Sequence, residues 1–164
     1  MRKLLFASLL CATVAHAEQS KTYWYAEDLP GGLSTLTGVF DKTGTGIMFG
    51  CSDSFFSAGT IIETKNKLSY QPKPTKITIS TADNEEANFE AEPMKSASDN
   101  YTFMSSNMIA SITAFHFLDT AKNKPLQITL NNADISISGK WEIDTHGSRD
   151  PIRDFKKSCP LINK

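Results

Sequence analysis

Asp144, His146, Asp150 and Asp154 form the one stretch in which an imidazole stands among carboxylates. A histidine so placed can accept a proton as general base, or join carboxylates around a metal ion. The same stretch, Asp144-Thr145-His146-Gly147-Ser148, also reads as an exposed connection, and Asp150 stands where a helix needs a cap. The connection is the simpler reading, and a small hydrolase using Asp144, His146 and Asp150 is the alternative. His116 lies between Phe115 and Phe117 with no second histidine at a helical metal spacing, so it reads as structural. Serines are many, but none stands in a Gly-x-Ser-x-Gly elbow. Asp83, Glu85, Glu86, Glu90 and Glu92 lack the alternating oxygen ligands and glycine of a calcium loop, and read as a solvated face. Gly44-Thr45-Gly46 has no strand-to-helix context and is a turn rather than a phosphate cradle. No catalytic set, cofactor or metal site is expected.

Recognition by aromatic rings is a separate matter. Tyr23, Trp24 and Tyr25, with Trp141, can either fill a core or offer a platform on which sugars stack. The core reading is preferred; a carbohydrate- or lipid-binding β-sandwich, with Trp24, Trp141 and His146 as ligand contacts, is the alternative.

The cysteines bound the compartment. Met1, Arg2 and Lys3 precede an apolar run from Leu4 to Val14, and Ala15-His16-Ala17 supplies the small residues a signal peptidase needs. Residues 1–17 are therefore expected to leave as a signal peptide, taking Cys11 with them, and residues 18–164 to form a single β-rich domain. Cys51 and Cys159 then remain as the one pair, and a periplasmic or secreted location favours their disulfide. Removing Arg2 and Lys3 from the 17 basic residues leaves 15 against 18 acidic ones, a formal charge of −3. That balance offers no basic stripe for nucleic acid. No second apolar run reaches the roughly 20 residues of a membrane helix.

The elements that position these residues are mostly strands. Leu126, Ile128 and Leu130, then Ala133, Ile135, Ile137, Gly139, Trp141 and Ile143, alternate with polar residues at the period of a half-buried strand. Asn131-Asn132 suits a two-residue turn between the two runs, which would pair Leu130 with Ala133, Ile128 with Ile135 and Leu126 with Ile137. Further strands are expected at Tyr23–Tyr25, Leu36–Phe40, Gly46–Cys51, Ala58–Thr64, Lys76–Thr81, around Phe89 and at Tyr101–Met104. An Asp41-Lys42-Thr43-Gly44 turn, the prolines Pro72 and Pro74, and a polar stretch with Pro93, Ser96, Ser98 and Asp99 separate them. Ile47, Phe49 and Cys51 share a face, which aims the cysteine inward.

Two helices complete the pattern. Ser106–Ala121 places Met108, Ile112 and Phe115 on one side, with Pro125 beyond its end. In the second, Asp150 is the expected cap and Pro151 the first helical position. Ile152, Phe155 and Cys159 fall at i, i+3 and i+7, which points Cys159 toward Cys51. The expected fold is mainly β: an antiparallel, sandwich-like domain with a mid-chain helix and a short C-terminal helix tethered by the disulfide.

The order of these features resembles that of exported proteins of the invasion-associated locus B type and of the type VI secretion accessory proteins VasI and TagO. Gly50-Cys51, Met108 to Leu118, Ile135-Ser136-Ile137-Ser138-Gly139 and Ile152 to Cys159 carry the likeness. It implies a non-enzymatic accessory role, with another envelope, surface or secretion protein as the partner.

Overall fold

The computed structural model describes residues 21–40, 45–63, 73–95, 100–132 and 137–163. Its strands are β1 (Thr22–Leu29), β2 (Leu33–Phe40), β3 (Gly46–Cys51), β4 (Phe56–Glu63), β5 (Thr75–Ser80), β6 (Glu86–Lys95), β7 (Asn100–Met104), β8 (Leu126–Asn132) and β9 (Ile137–Ile143). Helix α1 (Met108–Thr120) follows β7, and α2 (Arg149–Ser158) follows β9. Every strand pair is antiparallel, in the order β1-β2-β3-β4-β7-β6-β5-β8-β9.

Strand β6 joins two halves of this sheet. Its residues 86–91 pair with β5, and residues 92–95 pair with β7. Pro93, expected to interrupt the strands, lies inside β6, just past the point where the pairing partner changes. A residue without an N–H fits there, because among the described strands this part of β6 pairs with β7 alone.

Alternation along each strand builds one interior. Ala26, Leu36, Phe49 and Ala58 are cross-strand neighbours on the inner face of the first half. Phe89, Ile77, Leu130 and Gly139 are the corresponding row in the second half. The outermost strands also approach each other: the Trp24 indole donates to Asp144 O at 2.9 Å, and Asp144 N–H donates to Thr22 Oγ1 at 3.2 Å.

Both helices lie on this interior, α1 against β4, β5 and β6, and α2 against β1 and β2. Phe49 and Phe56 from the strands meet Phe115 of α1 and Phe155 of α2, with ring centroids 5.5 to 6.4 Å apart. Edge and tilted contacts of this kind add roughly 0.5–1.5 kcal/mol each beyond their buried area. Beside the rings, Cys51 and Cys159 form the expected disulfide, closing a separation of 108 residues with both sulfurs buried. Lys156 Nζ reaches Asp119 Oδ2 at 2.9 Å and ties α2 to the end of α1.

Three local expectations are corrected. The β8–β9 register pairs Leu126 with Ile143, Ile128 with Trp141 and Leu130 with Gly139, in place of the expected partners Ile137, Ile135 and Ala133, the last two of which lie outside the described residues. Asn131 and Asn132 continue β8 because β5 engages them: Thr75 Oγ1 donates to Asn131 O, and Asn132 Nδ2 donates to Lys73 O. Helix α1 buries Ser111, Ala114, Phe115, Phe117 and Leu118, whereas Met108 and Ile109 are exposed. Small residues at 111 and 114 let the helix lie close to the sheet, and this outweighs the larger side chains of its first turn. Finally, the N-cap of α2 is Ser148, with Asp150 and Pro151 inside the first turn. The expected turn at 41–44 lies outside the described residues.

Candidate functional site

The carboxylates around His146 do not converge. Asp144 Oδ1 accepts the His146 backbone N–H at 2.9 Å and lies 2.6 Å from its Nδ1, with the ring largely exposed. Asp150 instead pairs with Arg153 at 2.8 Å. Asp154 pairs with Lys157 at 2.8 Å, and that hydrogen bond, helped by the Lys157 and Arg153 charges, holds its carboxyl below the ordinary range. Thr145 and Ser148, the hydroxyls nearest in sequence, are buried and donate to Lys124 O and Thr145 O. The Asp144–His146 pair is thus a surface dyad, and the neighbouring Thr145 and Ser148 hydroxyls are directed elsewhere. A cleft of about 920 Å³ lies nearby between α1 and α2, but its Lys156 and Arg153 are already engaged by Asp119 and Asp150. Among the described residues, no group of three or more His, Cys, Asp or Glu side chains is placed to hold a metal ion. His116 is exposed on α1.

The aromatic group is split by strand alternation. Tyr23 and Tyr25 face outward, while Trp24 and Trp141 face inward and are half-buried against the core. Trp24 lies over Gly38 and Trp141 over Gly139. One edge of the Trp24 indole is committed to Asp144 O, so the two tryptophans do not form a joint outward platform.

A different site emerges on the outer face of the first half. Cross-strand neighbours run Tyr25–Thr37–Met48–Gly59–Met104–Glu92 in one row. A second row is Tyr23–Val39–Gly46–Ile61–Thr102–Met94, and a third is Glu27–Thr35–Gly50–Ser57. From these rows Thr35, Met48, Gly50, Ser57, Met104, Thr102, Glu92 and Met94 line a groove of about 750 Å³ that Phe55 and Met108 border. The chain has five methionines, and the four beyond Met1, namely Met48, Met94, Met104 and Met108, all line this groove.

Gly59 gives the floor its shape. A Cβ there would stand 1.8 Å from Phe103 O and 2.6 Å from Met104 Sδ. The Met104 side chain therefore lies across β4 in space that only glycine leaves free. Exposed large apolar residues concentrate on the same side. Tyr23, Tyr25, Leu29 and Met94 stand on the outer face, Phe55 and Met108 line the groove, and Ile109 adjoins Met108 at 79% exposure.

Sequence reasoning missed this groove, although a signal was present. In Gly46-Ile47-Met48-Phe49-Gly50 neither face is polar, which marks a strand covered on both sides or one meant to be. No family model matches the chain, and neither a curated protein nor a solved structure matches it.

Proposed function

We propose that the chain is an exported, non-enzymatic binding or accessory module that engages an envelope, surface or secretion-system protein through its methionine-lined face. The convergence of Met48, Met94, Met104 and Met108 on one groove carries this reading. Methionine is unbranched and polarizable, so a surface built from it adapts to a partner's side chains at little steric cost. A contiguous exposed apolar patch is a liability in water unless something covers it. Export is supported by the leader-like start and the disulfide, which oxidising compartments favour. No helix of the described residues is long and apolar enough to cross a membrane. The non-enzymatic reading rests on the scattered ion pairs around His146. Against it, the Asp144–His146 contact alone supports a hydrolase.

The apolar lining makes a lipid the second reading. A glycan is less well served, because both tryptophans turn inward. Affinity capture from envelope extracts with the oxidised chain and with a Met94→Gln/Met108→Gln variant tests the proposal. A protein retained by the parent chain and lost from the variant is the expected result. Identical capture by both, or by neither, contradicts it.

A further inference from the structure

We infer that the groove selects an apolar peptide segment flanked by lysine or arginine; this deepens the docking reading above and rests on it. Among the described residues the groove's lining contains no lysine, arginine or histidine, and its one charged residue is Glu92. Glu27 ends the row that runs through Thr35 and Gly50, and Asp53 precedes Ser54, which lines the groove. Glu27, Asp53 and Glu92 are all exposed. None of the three has an ion-pair partner among the described residues, whereas the acids of the α2 region are paired.

Among the described side chains, two further lysines do not reverse this balance. Lys76 faces Glu90 across the β5–β6 pair, in the other half. Lys21 is stacked over Tyr23, 5.3 Å from its ring, at the far end of the outermost row. The start of α1, which could attract an anion, is capped: Asn107 Oδ1 accepts the Ala110 N–H. An apolar floor between unpaired carboxylates rewards a segment that is apolar in its middle and cationic at its ends. It repels acidic peptides and anionic lipid headgroups alike.

Fluorescence anisotropy of the oxidised chain with three dye-labelled peptides tests this. The peptides share a leucine-rich centre and end in lysines, serines or glutamates. The lysine-ended peptide should bind about tenfold tighter than the serine-ended one at low salt, as two or three exposed ion pairs allow. The glutamate-ended peptide should bind weakest, and the gap should close at high salt. A Glu27→Gln/Asp53→Asn/Glu92→Gln variant should lose the preference while still binding the serine-ended peptide.

Equal affinity for all three peptides would overturn the charge selection and leave the docking face standing. Undiminished binding by Met94→Gln/Met108→Gln, two exposed and structurally tolerant positions, would overturn the docking face itself. Oleate or phosphatidylcholine vesicles that bind while no peptide does would make the groove a lipid site and also overturn the inference.

Discussion

The two halves of the sheet share an interior and differ on their outer faces. Outside β5 and β8 stand Lys76, Thr78, Ser80, Gln127, Thr129 and Asn131, and Thr78 Oγ1 bonds Asn88 Oδ1 of β6 at 2.6 Å. Outside β2, β3, β4 and β7 stand Val39, Met48, Ile61 and Met104, with glycines at Gly46, Gly50 and Gly59, Thr102 half-buried, and the hydroxyls of Thr35, Thr37 and Ser57 on buried residues. Inner faces are apolar in both halves, since folding requires it. The second half shows that this fold is content with a polar outer surface. The apolar residues on the outer face of the first half are therefore not owed to folding, and the proposed recognition role accounts for them.

The largest expected effect tests whether the shared interior is independent of that outer difference. Cys51→Ala/Cys159→Ala opens a 108-residue loop, worth about 4–5 kcal/mol in the chain-entropy model. Chemical denaturation should show a loss of that size, a large part of a typical domain's stability of about 5–15 kcal/mol. Because the disulfide clasps α2 on the inner side, the variant should still bind the lysine-ended peptide at low temperature. A loss of peptide binding with the fold intact would tie the groove to the clasp and blur the distinction between faces.

A smaller effect sharpens the comparison. Gly59→Ala places a methyl against Phe103 O and Met104 Sδ, forcing β4 from β7 at the groove floor. Overpacking of this kind costs roughly 1–3 kcal/mol. Thr129→Ala, on the outer face of the other half, should stay within about 0.5 kcal/mol. Equal melting temperatures for the two variants would mean that the floor has more slack than its geometry implies.

Much of the interior was legible because alternation is a local property. Ile47, Phe49 and Cys51 were expected inward and are fully buried, as are Phe155 and Cys159 at their helical spacing. With Cys51 and Cys159 as the pair left by the expected loss of residues 1–17, the bridge followed from the same local patterns. The groove was not legible because no local pattern contains it. Its lining runs from Leu33 to Met108 and depends on β4 pairing with β7, and β7 with β6. Met48 between Ile47 and Phe49 reads as one more apolar residue until the strand's two faces are known.

The two misjudged ends have the same cause. Asn131-Asn132 favours a turn by itself, but β5 supplies partners that extend the strand through it. Met108 fits a core-facing stripe by type, yet α1 buries Ser111, Ala114, Phe115, Phe117 and Leu118 instead. In both places a tertiary contact decided between readings that local propensity left nearly level.

The most direct measurement places a photo-crosslinking residue at Met94 in one copy of the chain and at Thr129 in another, each produced in the native host. Irradiation should join the Met94 copy to a discrete envelope protein and leave the Thr129 copy unjoined. Adducts of equal yield from both positions, or from Thr129 alone, would contradict the assignment of recognition to the methionine-lined face.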